Sequence, residues 1–569
     1  MIEKDEGVDV IEKKKTNKKS SKKDDKKNSD NNKDNQSSNS KFAENAKKFA
    51  QFDAEKLLIT AEKAEKENKY EEAIDIYRYL IKKYENDVDN YFKLGKLYMK
   101  MESYEKALDI FDRGLKYNNE KDALYLNKGV CLFNLERYEE ALETYNQGLL
   151  VDPKDHNLFH NKGVTLNKLK RYHEAIESFK SGILLKSDDP SLYSNLGVSL
   201  YKIKEYIASL IYYEESLRLN PNDYLVYINY GISLKALNRL DKALKNFKIA
   251  AKLQEKYPVS YYYIAMIYKM KKNYNKALNY FDIAIGLNKL YLTAYYYKGV
   301  TLNEIGQGDE ALKCFYKCLE LNPNYDFAYL NMGIIYDKMG KTDEALKYYD
   351  KALQLNPNLA EAYLNKGITY YNCGKYEEAL ENYDNAIKCN DKMPVAYNNK
   401  GLCFSKLKRY DEALENYNKA LELDPNYLEV YINKGVDMRE NKKFEEAFEE
   451  FGKALKLKSD YYLAFFHLGL IYSKKSGKDD LEKGIEFFNL AIKFNPNYSK
   501  SYFHKGLVEM KLILFGDAIQ SFLKCKELRN NKDELIIYGW INKYSICDKK
   551  IQECTNEVNK LLNKQYNNY

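Results

Sequence analysis

The chain of 569 residues is 44% hydrophobic and carries a formal net charge of +8, from 92 basic and 84 acidic residues. This length exceeds that of a single compact domain, so several domains or an array of repeats are expected. So small an excess of positive charge indicates neither a nucleic-acid partner nor an anionic membrane. No apolar run of about 18 residues predicts a membrane span.

Residues 1–45 are a low-complexity tail of Lys, Asn, Asp and Ser. The tail offers almost nothing apolar to bury, so it is predicted to be disordered. Its start, MIEKDEGVDV, carries charges where a signal peptide needs an apolar run, so no secretion and a cytoplasmic location are expected. Lysine clusters such as Lys13–Lys15 leave two alternatives open: a solvated tail, or a nuclear address or anionic contact.

From about Ala54 a small residue recurs every 34 positions, which we call the reference position of each repeat. Ala61 and Ala265 occupy two of these positions, and glycine occupies the others: Gly95, Gly129, Gly163, Gly197, Gly231, Gly299, Gly333, Gly367, Gly401, Gly435 and Gly469. A second small residue follows 12 positions later, as at Ala141 and Ala379, and an aromatic residue 4 positions after that, as at Tyr145 and Tyr383.

These spacings predict two helices of about 14 residues in every period, each with one apolar face. A small residue at a fixed place on each helix lets the two backbones approach closely. All nine prolines fall at the predicted turns between repeats, either at the slot of Pro153 and Pro357 or three residues later, as at Pro190 and Pro394. Proline is tolerated at a first helical turn and between helices, but not inside a helix.

The period and the helix pair resemble the tetratricopeptide repeat (TPR) family. The resemblance implies an all-α fold, an α-solenoid superhelix of about fourteen helix pairs over residues 54–528. The thirteenth repeat carries three extra residues after Ser473 and has Gly484 as its second small residue. Trp540 occupies the next reference position, where a large ring forbids close helix contact, so residues 529–569 are predicted to be C-terminal capping helices.

One slot, two residues before the reference position, is repeatedly asparagine. The apolar positions of the same helix face the stack, so this slot is expected to point away from the core. A carboxamide both donates and accepts hydrogen bonds and can match a main-chain amide, so a row of carboxamides can hold an extended peptide. The slot contains two runs of four asparagines, separated by two tyrosines: Asn127, Asn161, Asn195, Asn229, Tyr263, Tyr297, Asn331, Asn365, Asn399 and Asn433.

This asparagine ladder is similar to that of the TPR superhelix of the O-linked GlcNAc transferases, where asparagine at this slot contacts bound polypeptide. No glycosyltransferase domain is present in these 569 residues, so the resemblance implies a peptide groove without catalysis. In the alternative interpretation the asparagines solvate the groove or bond the neighbouring repeat. Tyr263 and Tyr297 are interpreted either as an aromatic clamp or as packing residues.

Lysine precedes the reference position in seven repeats, as at Lys128, Lys366 and Lys400. We expect these lysines to pair with glutamates of the following YEEA-type stretch, such as Glu139 or Glu377. A preference for acidic ligands is the alternative.

Chaperone-binding TPR domains hold a terminal carboxylate with basic and amide side chains three before and one after the reference position. Here these slots hold residues such as Leu126 and Val130, so that clamp is not predicted. An RNA-reading helical repeat would have a period of about 35 residues and a basic groove.

The nine cysteines lack paired spacing, and Cys314 and Cys318 are interpreted as core residues. His156 and His160 are interpreted as a surface pair, because nothing completes a metal site. No metal, cofactor or enzymatic activity is therefore expected.

The sequence predicts a scaffold or adaptor that binds extended segments of other proteins in its concave groove. It predicts neither nucleic acid nor membrane as a partner. The alternative function is a non-catalytic structural subunit of a multiprotein enzyme complex, with a purely structural ladder. Self-association into a homodimer is a third alternative.

Overall fold

The computed structural model describes residues 42, 45–529 and 544–566. It divides into two compact units, the first ending at Ile305 and the second beginning at Gly306. The helices of the first unit are α1 Ala54–Lys66, α2 Tyr70–Lys83, α3 Val88–Lys100, α4 Tyr104–Tyr117, α5 Asp122–Asn134, α6 Tyr138–Val151, α7 His156–Lys168, α8 Tyr172–Leu185, α9 Pro190–Lys202, α10 Tyr206–Leu219, α11 Tyr224–Ala236, α12 Leu240–Leu253, α13 Pro258–Met270, α14 Tyr274–Leu287 and α15 Leu292–Glu304.

The second unit continues the same alternation. Its helices are α16 Gly308–Leu321, α17 Asp326–Lys338, α18 Thr342–Leu355, α19 Ala360–Asn372, α20 Tyr376–Cys389, α21 Pro394–Lys406, α22 Tyr410–Leu423, α23 Leu428–Glu440, α24 Phe444–Leu457, α25 Tyr462–Ser473, α26 Lys478–Phe494, α27 Ser499–Lys511, α28 Phe515–Arg529 and α29 Tyr544–Tyr566. The odd-numbered helices α1 to α27 are the first helices of the repeats, and the even-numbered helices are the second. The predicted all-α class and the repeated helix pair are confirmed.

The reference glycines explain why the two helices of a repeat lie so close together. A Cβ atom built on Gly129 would lie 2.2 Å from Cε1 of Tyr145, and one on Gly367 would lie 2.6 Å from Cε1 of Tyr383. Both tyrosines are only 1% exposed. The aromatic ring of the second helix therefore rests directly on the backbone of the first helix.

The turn inside each helix pair requires a left-handed backbone. Glycine supplies it at Gly306, Gly340 and Gly374, whereas other turns use non-glycine residues. The most strained of these is Ile513, a β-branched residue with φ of 64°.

The prolines lie where the spacing places them. Pro190, Pro258 and Pro394 are the first residues of α9, α13 and α21, where a missing N–H costs no helical hydrogen bond. The insertion after Ser473 appears as a longer second helix, because α26 has 17 residues where α24 has 14.

The C-terminal helix α29 packs on α28. Sγ of Cys547 lies 3.7 Å from Sγ of Cys525, and the ammonium of Lys526 lies 2.7 Å from a carboxylate oxygen of Asp548. The capping role of residues 529–569 remains a prediction, and Trp540 lies outside the described residues. The predicted disordered tail, residues 1–45, also lies outside them except for residues 42 and 45.

Among the described helices, none is both long and apolar enough to cross a membrane. Cys314 and Cys318 are buried, at 8% and 0% exposure. Within the described ranges no group of three His, Cys, Asp or Glu side chains is arranged to hold a metal ion.

Candidate functional site

The asparagine slot lies on a face that successive first helices share. Within the first unit α5, α7 and α9 contact one another in sequence, and within the second unit α19, α21 and α23 do the same. We call the surface formed by the eight slot asparagines the asparagine face. It has a separate stretch in each unit, and seven of the eight asparagines are half-buried.

Four asparagines bond to their own helix. The side-chain Nδ2 of Asn127 donates to the carbonyl of Ala123 at 2.7 Å, and that of Asn365 donates to the carbonyl of Glu361 at 2.7 Å. Asn161 and Asn331 make the same bond at 2.8 Å. The carboxamide oxygens of Asn127, Asn161 and Asn365 have no donor among the described residues. Each therefore keeps one acceptor and one N–H for an external amide.

Three other asparagines are engaged by protein neighbours. Nδ2 of Asn195 lies 2.9 Å from Nε2 of His160 in the preceding repeat. Nδ2 of Asn433 donates at 2.9 Å to Oδ1 of Asn398, whose own amide donates at 3.2 Å to Asn399. The structural alternative thus describes these positions, where carboxamides bond one repeat to the next.

His160 corrects a sequence expectation. It was expected at the surface beside His156, yet it is half-buried on α7. Burial lowers the pKa of His160, which favours the neutral ring that accepts a hydrogen bond from Asn195.

Asn229 and Tyr263 depart from the expectation that the slot points away from the core. Asn229 is 4% exposed, and its carboxamide oxygen is buried without a hydrogen bond. Tyr263 is 5% exposed and stacks on Phe247, with ring centroids 5.0 Å apart and planes 10° apart. Tyr297 is half-buried, with its ring 5.9 Å from that of Tyr262. Packing, rather than a clamp, describes Tyr263.

An apolar rail accompanies the asparagines. Val130, Val164 and Ile368 occupy the slot after the reference position and are half-buried. From the sequence these residues served only to exclude a carboxylate clamp. On the first helices they lie three residues after each asparagine, so they share its side of the helix. Together the two slots offer alternating amide and aliphatic contacts.

The lysine slot is paired, but with a different partner from the one expected. Instead of Glu139 or Glu377, each lysine reaches an aspartate 16 residues earlier, on the second helix of the preceding repeat. The bonded pairs are Lys128–Asp112 at 2.7 Å, and Lys298–Asp282, Lys366–Asp350 and Lys400–Asp384 at 2.6 Å each.

Lys162 shows what happens when that aspartate is missing, because Asn146 stands 16 residues before it. Lys162 is half-buried, and burial lowers its pKa, with Arg171 acting in the same direction and Glu174 opposing. The lysines of this slot are therefore chiefly inter-repeat ion pairs.

Two residues on this side of the helices could not be singled out from the sequence. Asn398 stands at a slot that is leucine in other repeats, such as Leu126 and Leu364. Arg439 stands four residues after the reference position, where other repeats hold Met99, Phe133 or Tyr201. A comparison of each residue with the residues at its own slot is the signal that finds them.

The fold and this face define a helical-repeat protein built from antiparallel helix pairs. Models of the tetratricopeptide repeat match residues 88–121, 123–155, 156–189, 190–223, 212–245, 293–325, 327–359, 348–381 and 394–427, and a TPR repeat model matches residues 369–408. The chain belongs to the tetratricopeptide repeat family. Its repeats make it a protein-interaction scaffold in general terms, and an architecture of such repeats alone is typically non-catalytic.

Solved structures of other repeat proteins are similar to this chain. The APC/C hetero-tetramer Cut9-Hcn1 matches with 15% identity over 90% of this chain and 98% of that chain, with a TM-score of 0.45. Yeast Tom70 matches with 15% identity over 86% and 100%, with a TM-score of 0.39. YrrB, titled a TPR protein with an unusual peptide-binding site, matches with 28% identity over 32% and 95%, with a TM-score of 0.27. No curated protein matches the chain.

Proposed function

We propose that the protein is an adaptor that binds extended polypeptide segments of other proteins along its asparagine face. The observation that carries this proposal is the hydrogen bonding of Asn127, Asn161 and Asn365. Each fixes one N–H on its own helix and leaves an acceptor and a donor half-exposed. A fixed carboxamide loses little conformational entropy on binding, so it is prepared for a main-chain amide.

The spacing of the helices suits an extended ligand. Packed helices lie roughly 8–10 Å apart, and an extended chain advances about 3.3 Å per residue, so about three ligand residues pass each asparagine. Four consecutive asparagines would then contact on the order of ten residues. Main-chain hydrogen bonds supply affinity in this mode, and the aliphatic rail supplies pockets for alternate side chains.

The partners in this proposal are proteins, rather than nucleic acid or membrane, and the location is cytoplasmic, with the nucleus as the alternative. The rival proposal is a structural subunit of a multiprotein complex. The bridged asparagines Asn195 and Asn433 favour it, because they already bond neighbouring repeats. Under that proposal, or under self-association into a dimer, partners dock outside the asparagine face.

The test is a pull-down of the full chain with mass spectrometry. One variant changes the available asparagines Asn127, Asn161 and Asn365 to alanine. The matched control changes Asn382 and Asn416, whose Nδ2 atoms make the same bond to their own second helices at 2.8 Å. Circular dichroism first shows that all three proteins fold alike.

Loss of a set of partners from the first variant but not from the control supports a peptide groove. An unchanged set of partners in the first variant refutes the groove and directs attention to the second helices and the chain ends.

A further inference from the structure

A cluster of basic side chains lies beyond Asn433, where the asparagine slot turns to histidine. His467 on α25 and His504 on α27 occupy the slot in the last two repeats. Arg439 on α23 reaches across to the first of them, with Nη1 2.8 Å from Nδ1 of His467. Its Nη2 donates to Glu440 at 2.5 Å.

The guanidinium of Arg439 is buried without its full complement of acceptors. Arg439 is 8% exposed, and its Nε–H has no hydrogen-bond partner among the described residues. An unsatisfied buried donor on a charged group is costly, so an acceptor supplied by a ligand would be strongly favoured.

The histidine contributes a second donor. Because Arg439 cannot accept, Nδ1 of His467 must be the acceptor, and the ring proton then lies on Nε2. His467 stacks on Phe451, with ring centroids 5.4 Å apart and planes 11° apart, so the ring is held in place. Burial lowers the pKa of His467, as do the positive charges of Arg439 and Lys500 and the neighbouring His504, so the ring is neutral.

The charges around the cluster leave room for an anion. Arg439 and Lys500 are positive, and Glu440 offsets only one of these charges. On the same helix, Asp437 is turned into the core and accepts from Ser405 at 2.5 Å. Glu509 on α27 is buried against Ser521 and Lys505.

We propose that Arg439, His467 and Lys500 form an anchor for a side-chain oxyanion of the bound polypeptide. The oxyanion accepts from Nε–H of Arg439 and Nε2–H of His467, while Lys500 supplies long-range attraction. The ligand is an acidic residue within the segment that follows the asparagines of the second unit, either a carboxylate or a phosphorylated side chain. This inference rests on the proposed peptide groove and assigns one end of it a charge preference.

The experiment selects binders for the full-length protein from a random dodecapeptide library. Wild type is compared with R439Q and with H467N, which restores the asparagine of the slot and serves if R439Q folds poorly. The control is R218Q, which removes an arginine paired with Glu215 at 2.6 Å on second helix α10. The expected result is an Asp or Glu at one fixed position of the wild-type and R218Q pools, and its loss from the R439Q and H467N pools.

A synthetic peptide from the wild-type pool then distinguishes the two sources of the oxyanion. Its acidic residue is replaced by glutamine or by phosphoserine, and affinity is measured by fluorescence anisotropy. The glutamine peptide should bind wild type about tenfold more weakly, and R439Q should bind acidic and glutamine peptides alike. A gain from phosphoserine alone identifies a phosphorylated residue, whereas equal binding of both acidic forms identifies a general oxyanion.

Two results would overturn the anchor. If the wild-type pool shows no acidic preference, or R439Q shows the same preference, the anchor fails while the peptide groove stands. If no peptide is enriched by any variant, the peptide groove itself fails, and the anchor with it.

Discussion

Asp437 provides the sharpest test of the packing described above. It lies on α23 two residues after the reference position, a core slot that holds Cys131, Thr165 and Thr369 in other repeats. It is 3% exposed; Ser405 donates to Oδ1 at 2.5 Å, and Oδ2 has no hydrogen-bond partner. Burial raises the pKa of this carboxyl from 3.8 to about 6, although the hydroxyls of Ser405 and Tyr417 act in the opposite direction.

The sign of the pH effect follows from these two pKa values. Between about pH 4 and 6 the folded protein keeps a proton that the unfolded chain has lost, so stability falls as pH rises through that interval. A displacement of about 2 pKa units corresponds to about 3 kcal/mol of lost stability above pH 7. Replacing Asp437 with threonine, the residue of the equivalent slots, removes this loss.

We expect Asp437→Thr to unfold at a higher temperature than wild type at pH 7.5, with an advantage of about 2–3 kcal/mol that shrinks towards pH 4. The assay is thermal unfolding of the full chain at pH 4.5 to 8, read in the transition that contains α22–α24. Thr369→Asp is the matched reverse change and should lose stability most at high pH. The reasoning fails if Asp437→Thr is no more stable at pH 7.5, or if its advantage does not depend on pH.

Three further changes test the geometry of the repeats. Gly367→Ala should destabilise the second unit by about 1–3 kcal/mol in a urea titration, because the new Cβ would lie 2.6 Å from the Tyr383 ring; Gly286→Ala, which meets nothing within 4 Å, is the control and should cost nothing. Ile513→Gly should raise the melting temperature by relieving about 1 kcal/mol of left-handed strain at φ of 64°, and no gain would refute that strain. Lys366→Met should change the unfolding free energy by less than about 1 kcal/mol, because the aspartate that pairs with it is 51% exposed; a larger loss would show that the pair is a structural anchor.

The sequence by itself determined the helix pair and its phase. The 34-residue period, the close contact of Gly129 with Tyr145 and the proline positions follow from local rules of helix periodicity and turn chemistry. These rules act within one or two helices, so they hold in every repeat regardless of what surrounds it. The family and the all-α fold could be predicted for the same reason.

Tertiary structure decided how each side chain of the shared face is used. The sequence presents Asn161 and Asn195 as equivalent, yet only Asn195 is bridged to a neighbour, because His160 happens to stand opposite it. Lys366 bonds Asp350 because helix packing brings a residue 16 positions earlier within reach. Such partners depend on the relative placement of neighbouring helices, which no pattern within a single helix specifies.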